Sequence, residues 1–209
     1  DFTFCEESLV RVSRTFAINI KVLSGDSYKS VLLAYLLCRI ADTIEDDPLF
    51  DPEYKLQKLC EYADLFPPSS NYPERISDFL RNISFRRKDD STELLMNLTR
   101  VMNEFVKLPK RMISVVSEHV QEMAYGMASF QKKCSGQNIH FIEDKGELAR
   151  YCYFVAGTVG LMLTSVFAEN SSLITPLIRQ KLEERSVAFG LGLQITNIAK
   201  DFYLSLIHI

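Results

Sequence analysis

Glycine and proline are scarce: 8 and 7 of 209 residues leave little room for a loop-rich fold. Basic residues are not in excess, and a net charge of −3 gives no polybasic footprint, which argues against a nucleic-acid partner. Any anionic ligand must therefore be met by local basic groups or by metal. The five cysteines, Cys5, Cys38, Cys60, Cys134 and Cys152, form no CxxC pair and no pattern with histidine. They read as thiols of a reducing compartment, neither a disulfide framework nor a zinc site. His119, His140 and His208 are isolated and read as structural or surface residues. The sequence shows no glycine-rich dinucleotide fingerprint, no alternating strand pattern and no signal peptide. No apolar run is read as long enough to span a membrane.

What is present is helical periodicity along nearly the whole chain, with 47% hydrophobic and 24% charged residues, enough for one all-α domain with a sizeable core. The spacing predicts helices over about 6–23, 28–46, 52–65, 72–85, 91–107, 109–133, 144–168 and 174–203. Ser24-Gly25-Asp26, the Pro67–Asn71 stretch and Cys134–Asn138 are the expected breaks, and Pro109 a helix start. Two segments, Val31–Leu37 and Tyr151–Leu161, are apolar around nearly their whole circumference. Such helices belong in the centre of a bundle or line an apolar cavity. Gly157 and Gly160 weaken the second by about 1 kcal/mol each against alanine, so they mark either close helix approach or room for a ligand.

The chemistry lies at two places. Leu36-Leu37-Cys38-Arg39-Ile40-Ala41-Asp42-Thr43-Ile44-Glu45-Asp46-Asp47 closes an apolar helix with Asp42, Glu45 and Asp46 on one face, since positions i, i+3 and i+4 face the same way. Like charges so placed repel by roughly 0.2–0.5 kcal/mol per pair, and a helix C-terminus disfavours anions. The cluster is either a solvated helix exit, ended by Asp47-Pro48, or a site asking for a cation such as Mg²⁺, which takes hard oxygen ligands. Later, in Gly190-Leu191-Gly192-Leu193-Gln194-Ile195-Thr196-Asn197-Ile198-Ala199-Lys200-Asp201-Phe202, Gln194, Asn197 and Asp201 share one face of an otherwise apolar helix.

In order and surroundings these segments resemble the squalene and phytoene synthase family, the head-to-head prenyltransferases. Asp42-Thr43-Ile44-Glu45-Asp46, preceded by Tyr35 and Arg39, is similar to its first acidic motif. Ser13-Arg14-Thr15-Phe16-Ala17 resembles its N-terminal signature, Tyr151–Gly157 its central helix, and Gln194–Asp201 its second motif. The Asp-Thr-Ile-Glu-Asp-Asp wording is closest to squalene-type members. Two departures stand out. Lys200 occupies a position where the family usually has arginine, keeping the charge but losing the planar fork, and Ser205 stands where the second motif has a further acidic residue.

The resemblance implies an all-α bundle of the isoprenoid (terpene) synthase type with a central apolar cavity. It further implies head-to-head condensation of two prenyl diphosphates, farnesyl diphosphate in particular, through a cyclopropylcarbinyl diphosphate to squalene or dehydrosqualene. The alternatives are phytoene from geranylgeranyl diphosphate, a head-to-tail synthase or terpene cyclase, and a non-catalytic helical relative serving in assembly or lipid binding. By the same resemblance Asp42, Asp46, Asn197 and Asp201 would be Mg²⁺ ligands, with Glu45 in support. Arg14, Arg39 and Lys200 would meet diphosphate oxygens, Ser13, Tyr35 and Gln194 would hydrogen-bond nearby, and Phe16, Phe154 and Tyr151 would shield a carbocation, Tyr151 also helping to move a proton. NADPH would be needed for squalene, and the apolar product fits a cytoplasmic monomer docking peripherally on a membrane. The chain starts at Asp1 without methionine, and from Leu204 to Ile209 it no longer resembles the family. One prenyltransferase domain is therefore expected over 1–203, with a non-native tail at 204–209, missing terminal helices and no activity from these 209 residues alone.

Overall fold

The computed structural model describes residues 1–13, 15–81, 83, 88–133 and 142–207, with 201–207 placed in backbone only. Eleven α-helices and no strand occur among the described residues, as the periodicity predicts. They are α1 (Phe2–Val12), α2 (Phe16–Ile20), α3 (Gly25–Glu45), α4 (Pro52–Ala63), α5 (Tyr72–Arg81), α6 (Asp90–Met96), α7 (Leu98–Phe105), α8 (Lys110–Lys133), α9 (Lys145–Cys152), α10 (Thr158–Asn170) and α11 (Pro176–Ile207), with a π-helical turn, Tyr153–Gly157, joining α9 to α10.

α3 and α8 form the centre. Leu32, Leu33, Leu36, Leu37, Ile40 and Ile44 of α3 are shut off from solvent, each contributing about 1.5–3 kcal/mol by burial. The all-round apolar reading of this helix is thus realised by α1, α4, α6, α7, α8 and α10 packed around it. Val116, Val120, Met123, Ala124 and Met127 give α8 its buried stripe, and α4 runs along it in the broadest helix–helix contact of the chain. The phenol of Tyr62 on α4 donates to the carbonyl of Leu37 (2.8 Å), which ties α4 to α3 inside the core.

Helix starts follow side-chain chemistry. Asp51 accepts from the Tyr54 amide ahead of Pro52, Asp144 accepts from the Glu147 amide, and Asp89 and Thr92 form a reciprocal capping box, each cap being worth about 1 kcal/mol.

Several expected helices are divided. The predicted helix over 6–23 is two, because Ser13 is extended (φ −141°, ψ 108°) and its Oγ accepts the Phe16 amide at 3.0 Å. A serine hydroxyl thus replaces the next helical backbone partner. The predicted helix over 91–107 breaks at Asn97 (φ −103°, ψ 22°), whose side-chain amide donates back to the Glu93 carbonyl at 2.9 Å. The predicted helix over 144–168 contains the π turn.

The second expected central helix is only half-buried. Val155, Val159, Leu163 and Phe167 pack against the core edge, whereas Leu177, Phe189, Leu193 and Ile195 of the neighbouring α11 remain exposed. The expectation that no apolar run reaches membrane-span length is also corrected: residues 151–168 carry no charge, and Lys145–Asn170 is long and apolar enough by length and composition, at a mean hydropathy of 1.6 with 39% of that window buried. Here it packs against α8 and α11 as a bundle helix, and its length and composition alone are compatible with membrane association.

Cys5, Cys38 and Cys152 are buried and Cys60 half-buried, all as free thiols. The His119 ring bonds the Val115 carbonyl one turn back, which is the structural role expected of it. Cys134, His140 and His208 lie outside the described residues.

Candidate active site

The last two turns of α3 carry Arg39, Asp42, Glu45 and, at the C-cap, Asp46. Asp42 is half-buried and keeps 34% of its side-chain surface accessible. Burial, then the Asp46 charge, pushes its carboxyl from 3.8 up to about 7, partly offset by Arg39. Glu45 is buried and is pushed from 4.5 up to about 8, first by burial, then by Asp42 and Asp46, against the opposing pull of Lys55 and a hydrogen bond from Gln131. Lys55 also donates to the Glu45 carbonyl, a cation at the end of α3 where the helix dipole favours one. Asp46 is exposed, and its amide donates to the Asp42 carbonyl at 2.8 Å. Exposure thus falls from Asp46 through Asp42 to Glu45, while the charge of Asp46 still acts on both neighbours.

Arg39 lies one turn before Asp42, with Nη1 3.9 Å from Oδ2 of Asp42 and Nη2 donating to Ser91 Oγ at 3.3 Å. Its Nε is buried and without a partner. A buried guanidinium nitrogen left unpaired costs about 1–3 kcal/mol, whereas the side chain as a whole keeps 35% of its surface accessible, so an anion can reach it. Tyr35, one turn further back, is hydrogen-bonded to the side chain of Ser13, and burial raises its phenol above the ordinary value. Its ring lies 5.8 Å from that of Phe16, which is 54% exposed.

Tyr151 faces this end of α3 from α9. Its phenol is raised first by burial and then by the negative charges of Glu45, Asp46 and Asp42, which places it beside the cluster. Its ring stands edge-on to Phe130 at 5.3 Å, and Phe154 does the same at 6.4 Å. Phe154 fits because residue 126 of α8 is glycine: a Cβ there would lie 2.1 Å from the ring. The Tyr153 hydroxyl donates to Glu122 at 2.9 Å, and its phenol is pushed up to about 12 by burial and that bond.

Of the residues singled out in the sequence, the structure thus brings Ser13, Phe16, Tyr35, Arg39, Asp42, Glu45, Asp46, Tyr151 and Phe154 to one region. The α11 residues stand apart in character. Gln194 is half-buried, and Asn197 and Lys200 are exposed on a helix packed against α9, the π turn and α10. Arg14 and the side chain of Asp201 lie outside the described residues. Ser91 and Gln131 were invisible in the sequence as members of the site, because each reaches it from a distant segment without a motif of its own.

The donor set fits a divalent cation of the Mg²⁺ type. Three mutually repelling carboxylates share one nearby guanidinium, and all are hard oxygen donors. Among the described residues there is no group of three or more His, Cys, Asp or Glu side chains that could hold a metal ion by itself. A Mg²⁺ ion needs none, since it keeps several waters and takes one or two protein carboxylates together with substrate phosphates.

An all-α bundle whose central helix ends in a carboxylate cluster, opposed by a half-buried tyrosine among phenylalanines, is a fold of the terpenoid-synthase type. The comparisons narrow this class. The squalene/phytoene synthase family model matches residues 9–205, and the chain belongs to that family. It is 32% identical over 203 residues to squalene synthase BSS of Botryococcus braunii, covering 97% of this chain and 40% of that protein. It is 31% identical over 199 residues to the squalene synthase of Bos taurus, covering 95% and 43%. A solved complex of TcSQS with the ligand BPH1237 superposes with a TM-score of 0.76 at 30% identity, covering 96% of this chain and 53% of that one. The chain thus spans about half, or less, of the length of the relatives it matches.

Proposed function

We propose that the protein joins two prenyl diphosphates head-to-head with Mg²⁺, using farnesyl diphosphate to make squalene or dehydrosqualene. The observation that carries this reading is the pairing of the raised carboxyls of Asp42 and Glu45 with a partly accessible Arg39 one turn before Asp42. One group asks for a cation and its neighbour for an anion, and a metal diphosphate is both.

In this reading Asp42 and Asp46 would hold the metal from α3, and Asn197 and Asp201 from α11, with Glu45 in support. When bound, Mg²⁺ supplies charge stabilisation for the departing diphosphate. The protein's own groups do the rest. Arg39 meets diphosphate oxygens with the accessible part of its guanidinium, a charge-assisted and geometrically specific contact. Arg14 and Lys200 add charge, while Ser13, Tyr35 and Gln194 hydrogen-bond nearby. As the allylic C–O bond breaks, its electron pair leaves with diphosphate, and the allylic cation takes the double bond of the second substrate. Phe16, Phe154 and Tyr151 offer ring faces worth about 0.5–2 kcal/mol each to a desolvated cation and exclude water that would quench it. Closure of the cyclopropane releases a proton. Tyr151, whose phenol is kept protonated first by burial and then by the negative charges of Glu45, Asp46 and Asp42, would relay that proton to the departed diphosphate as the base. The cyclopropylcarbinyl diphosphate would then lose the second diphosphate with the C–O electron pair, and the resulting cation would take hydride from NADPH to give squalene or lose a proton to give dehydrosqualene. The apolar run of α9 and α10 suits delivery of such a product at a membrane surface.

The test is incubation of the full-length protein with Mg²⁺ and farnesyl or geranylgeranyl diphosphate, with and without NADPH, following diphosphate release and the hydrocarbon formed. Release with farnesyl diphosphate and a C30 product are expected. A C40 product would make it a phytoene synthase, and no release from any prenyl diphosphate would overturn the reading. Arg39→Ala should lower kcat/KM by about 100-fold, the worth of a lost charge-assisted contact. A fall of less than about threefold would reduce Arg39 to an intrahelical ion pair of the kind worth little in water.

A further inference from the structure

Arg39 can serve a diphosphate only if its guanidinium is held in place without being neutralised, and its two contacts differ in this respect. Asp42 is an ion-pair partner at 3.9 Å, beyond hydrogen-bond length, whereas Ser91 Oγ is a neutral acceptor at 3.3 Å. A neutral acceptor fixes direction and leaves the positive charge available.

Ser91 is well placed for this. It is 9% exposed and sits in the first turn of α6, a turn locked by the reciprocal bonds of Asp89 and Thr92 (Thr92 amide to Asp89 Oδ1, 2.8 Å; Asp89 amide to Thr92 Oγ1, 3.0 Å). The carboxylates of α6 that could compete for Arg39 are drawn elsewhere. Arg11 of α1 pairs with Glu93 at 2.9 Å and approaches Asp90 at 3.9 Å. α6 packs directly on α3, so the serine reaches Arg39 from a different helix than the one carrying the carboxylates.

We propose that Ser91 is a positioning residue, a neutral clamp from α6 that aims the Arg39 guanidinium at the diphosphate group of the substrate. The inference rests on the prenyl diphosphate reading above. It assigns to α6 a part in substrate binding, although α6 carries none of the family-like motifs and lies 52 positions along the chain from Arg39.

The test uses the full-length protein with Ser91→Ala, Ser91→Thr, Arg39→Ala and the Ser91→Ala/Arg39→Ala pair. The readouts are steady-state kinetics, binding of inorganic diphosphate with Mg²⁺ by calorimetry, and thermal unfolding. Ser91→Ala should raise KM and the Kd for inorganic diphosphate by about three- to tenfold, the worth of one aligning hydrogen bond, with kcat changed by less than about twofold. Ser91→Thr, which keeps the hydroxyl, should restore both. In the Arg39→Ala background the serine substitution should change nothing further, because its effect passes through the arginine. An equal loss of affinity in that background, or unchanged diphosphate affinity in Ser91→Ala, would overturn the clamp while the functional reading stood. A wild-type protein that turned over no prenyl diphosphate would overturn both.

Discussion

Replacing Asp42 with asparagine should lower turnover by about a thousandfold or more, the several kcal/mol of charge stabilisation that one metal-ligand carboxylate supports. The same substitution should make the metal-free protein more stable at pH 8. Both effects have one cause. The fold buries Asp42 and Glu45 and sets them beside neighbouring carboxylates, and burial first, then that negative charge, pushes their carboxyls up to about 7 and about 8. A carboxyl whose folded pKa lies above its unfolded value binds its proton more tightly in the native state, so its contribution favours folding most at low pH. That contribution is lost as pH rises from about 4 through the folded values. Metal-free wild type should therefore lose stability between about pH 4 and 8 and level off above.

Asparagine at 42 removes one raised carboxyl and relieves Glu45. The gain at pH 8 should be about 1 kcal/mol, well short of the cost for a fully enclosed charge, because a third of the Asp42 side chain is accessible. Mg²⁺ should raise the melting temperature of wild type more at pH 8 than at pH 5, since the cation must compete with protons for these oxygens. It should do little for the variant. Thermal unfolding across pH, with chelator and with Mg²⁺, checks the set. Undiminished turnover by Asp42→Asn, or the same pH slope in both proteins, would remove Asp42 from the site.

Why the acidic cluster could be read in the sequence is now plain: its geometry is internal to one helix, and the spacing of Asp42, Glu45 and Asp46 fixes their common face without knowledge of any other segment. The apolar circumference of α3 was legible for the same reason. What failed depended on side chains competing with the backbone. Ser13 and Asn97 sit within otherwise continuous helical patterns, and only a local bond, to the Phe16 amide or to the Glu93 carbonyl, decides that the helix ends there. The site's distant partners were hidden too. Ser91 and Gln131 belong to ordinary helical stretches, and nothing in their neighbourhoods points to Arg39 or Glu45. The exposure of Asn197 and Lys200 was equally out of reach, because periodicity assigns residues to a face of α11 and says nothing of what that face meets.

Gly190→Ala should cripple the enzyme while leaving the carboxylates of α3 intact. A Cβ at position 190 would lie 2.5 Å from the backbone oxygen of Ala156, inside any real contact. The opposing atom belongs to the π turn, not to a flexible side chain that could swing aside. α11 must then move off the π turn, on which it packs. The neighbouring contact at Gly160, whose own Cβ would meet the Ser186 carbonyl at 2.6 Å, opens with it. Of the two roles that glycine could play in the Tyr151–Leu161 segment, close helix approach is the one realised here. The strain should cost about 1–3 kcal/mol of stability. The larger effect should be catalytic, because Gln194, Asn197, Lys200 and Asp201 follow Gly190 on the same helix, and a shift of about 1 Å in a positioning element can cost about a hundredfold in rate. Diphosphate release should fall by that factor, whereas binding of inorganic diphosphate, read through Arg39 on α3, should weaken far less. A variant with normal turnover would show that α11 supplies no part of the metal diphosphate site and that the carboxylates of α3 act without a second wall.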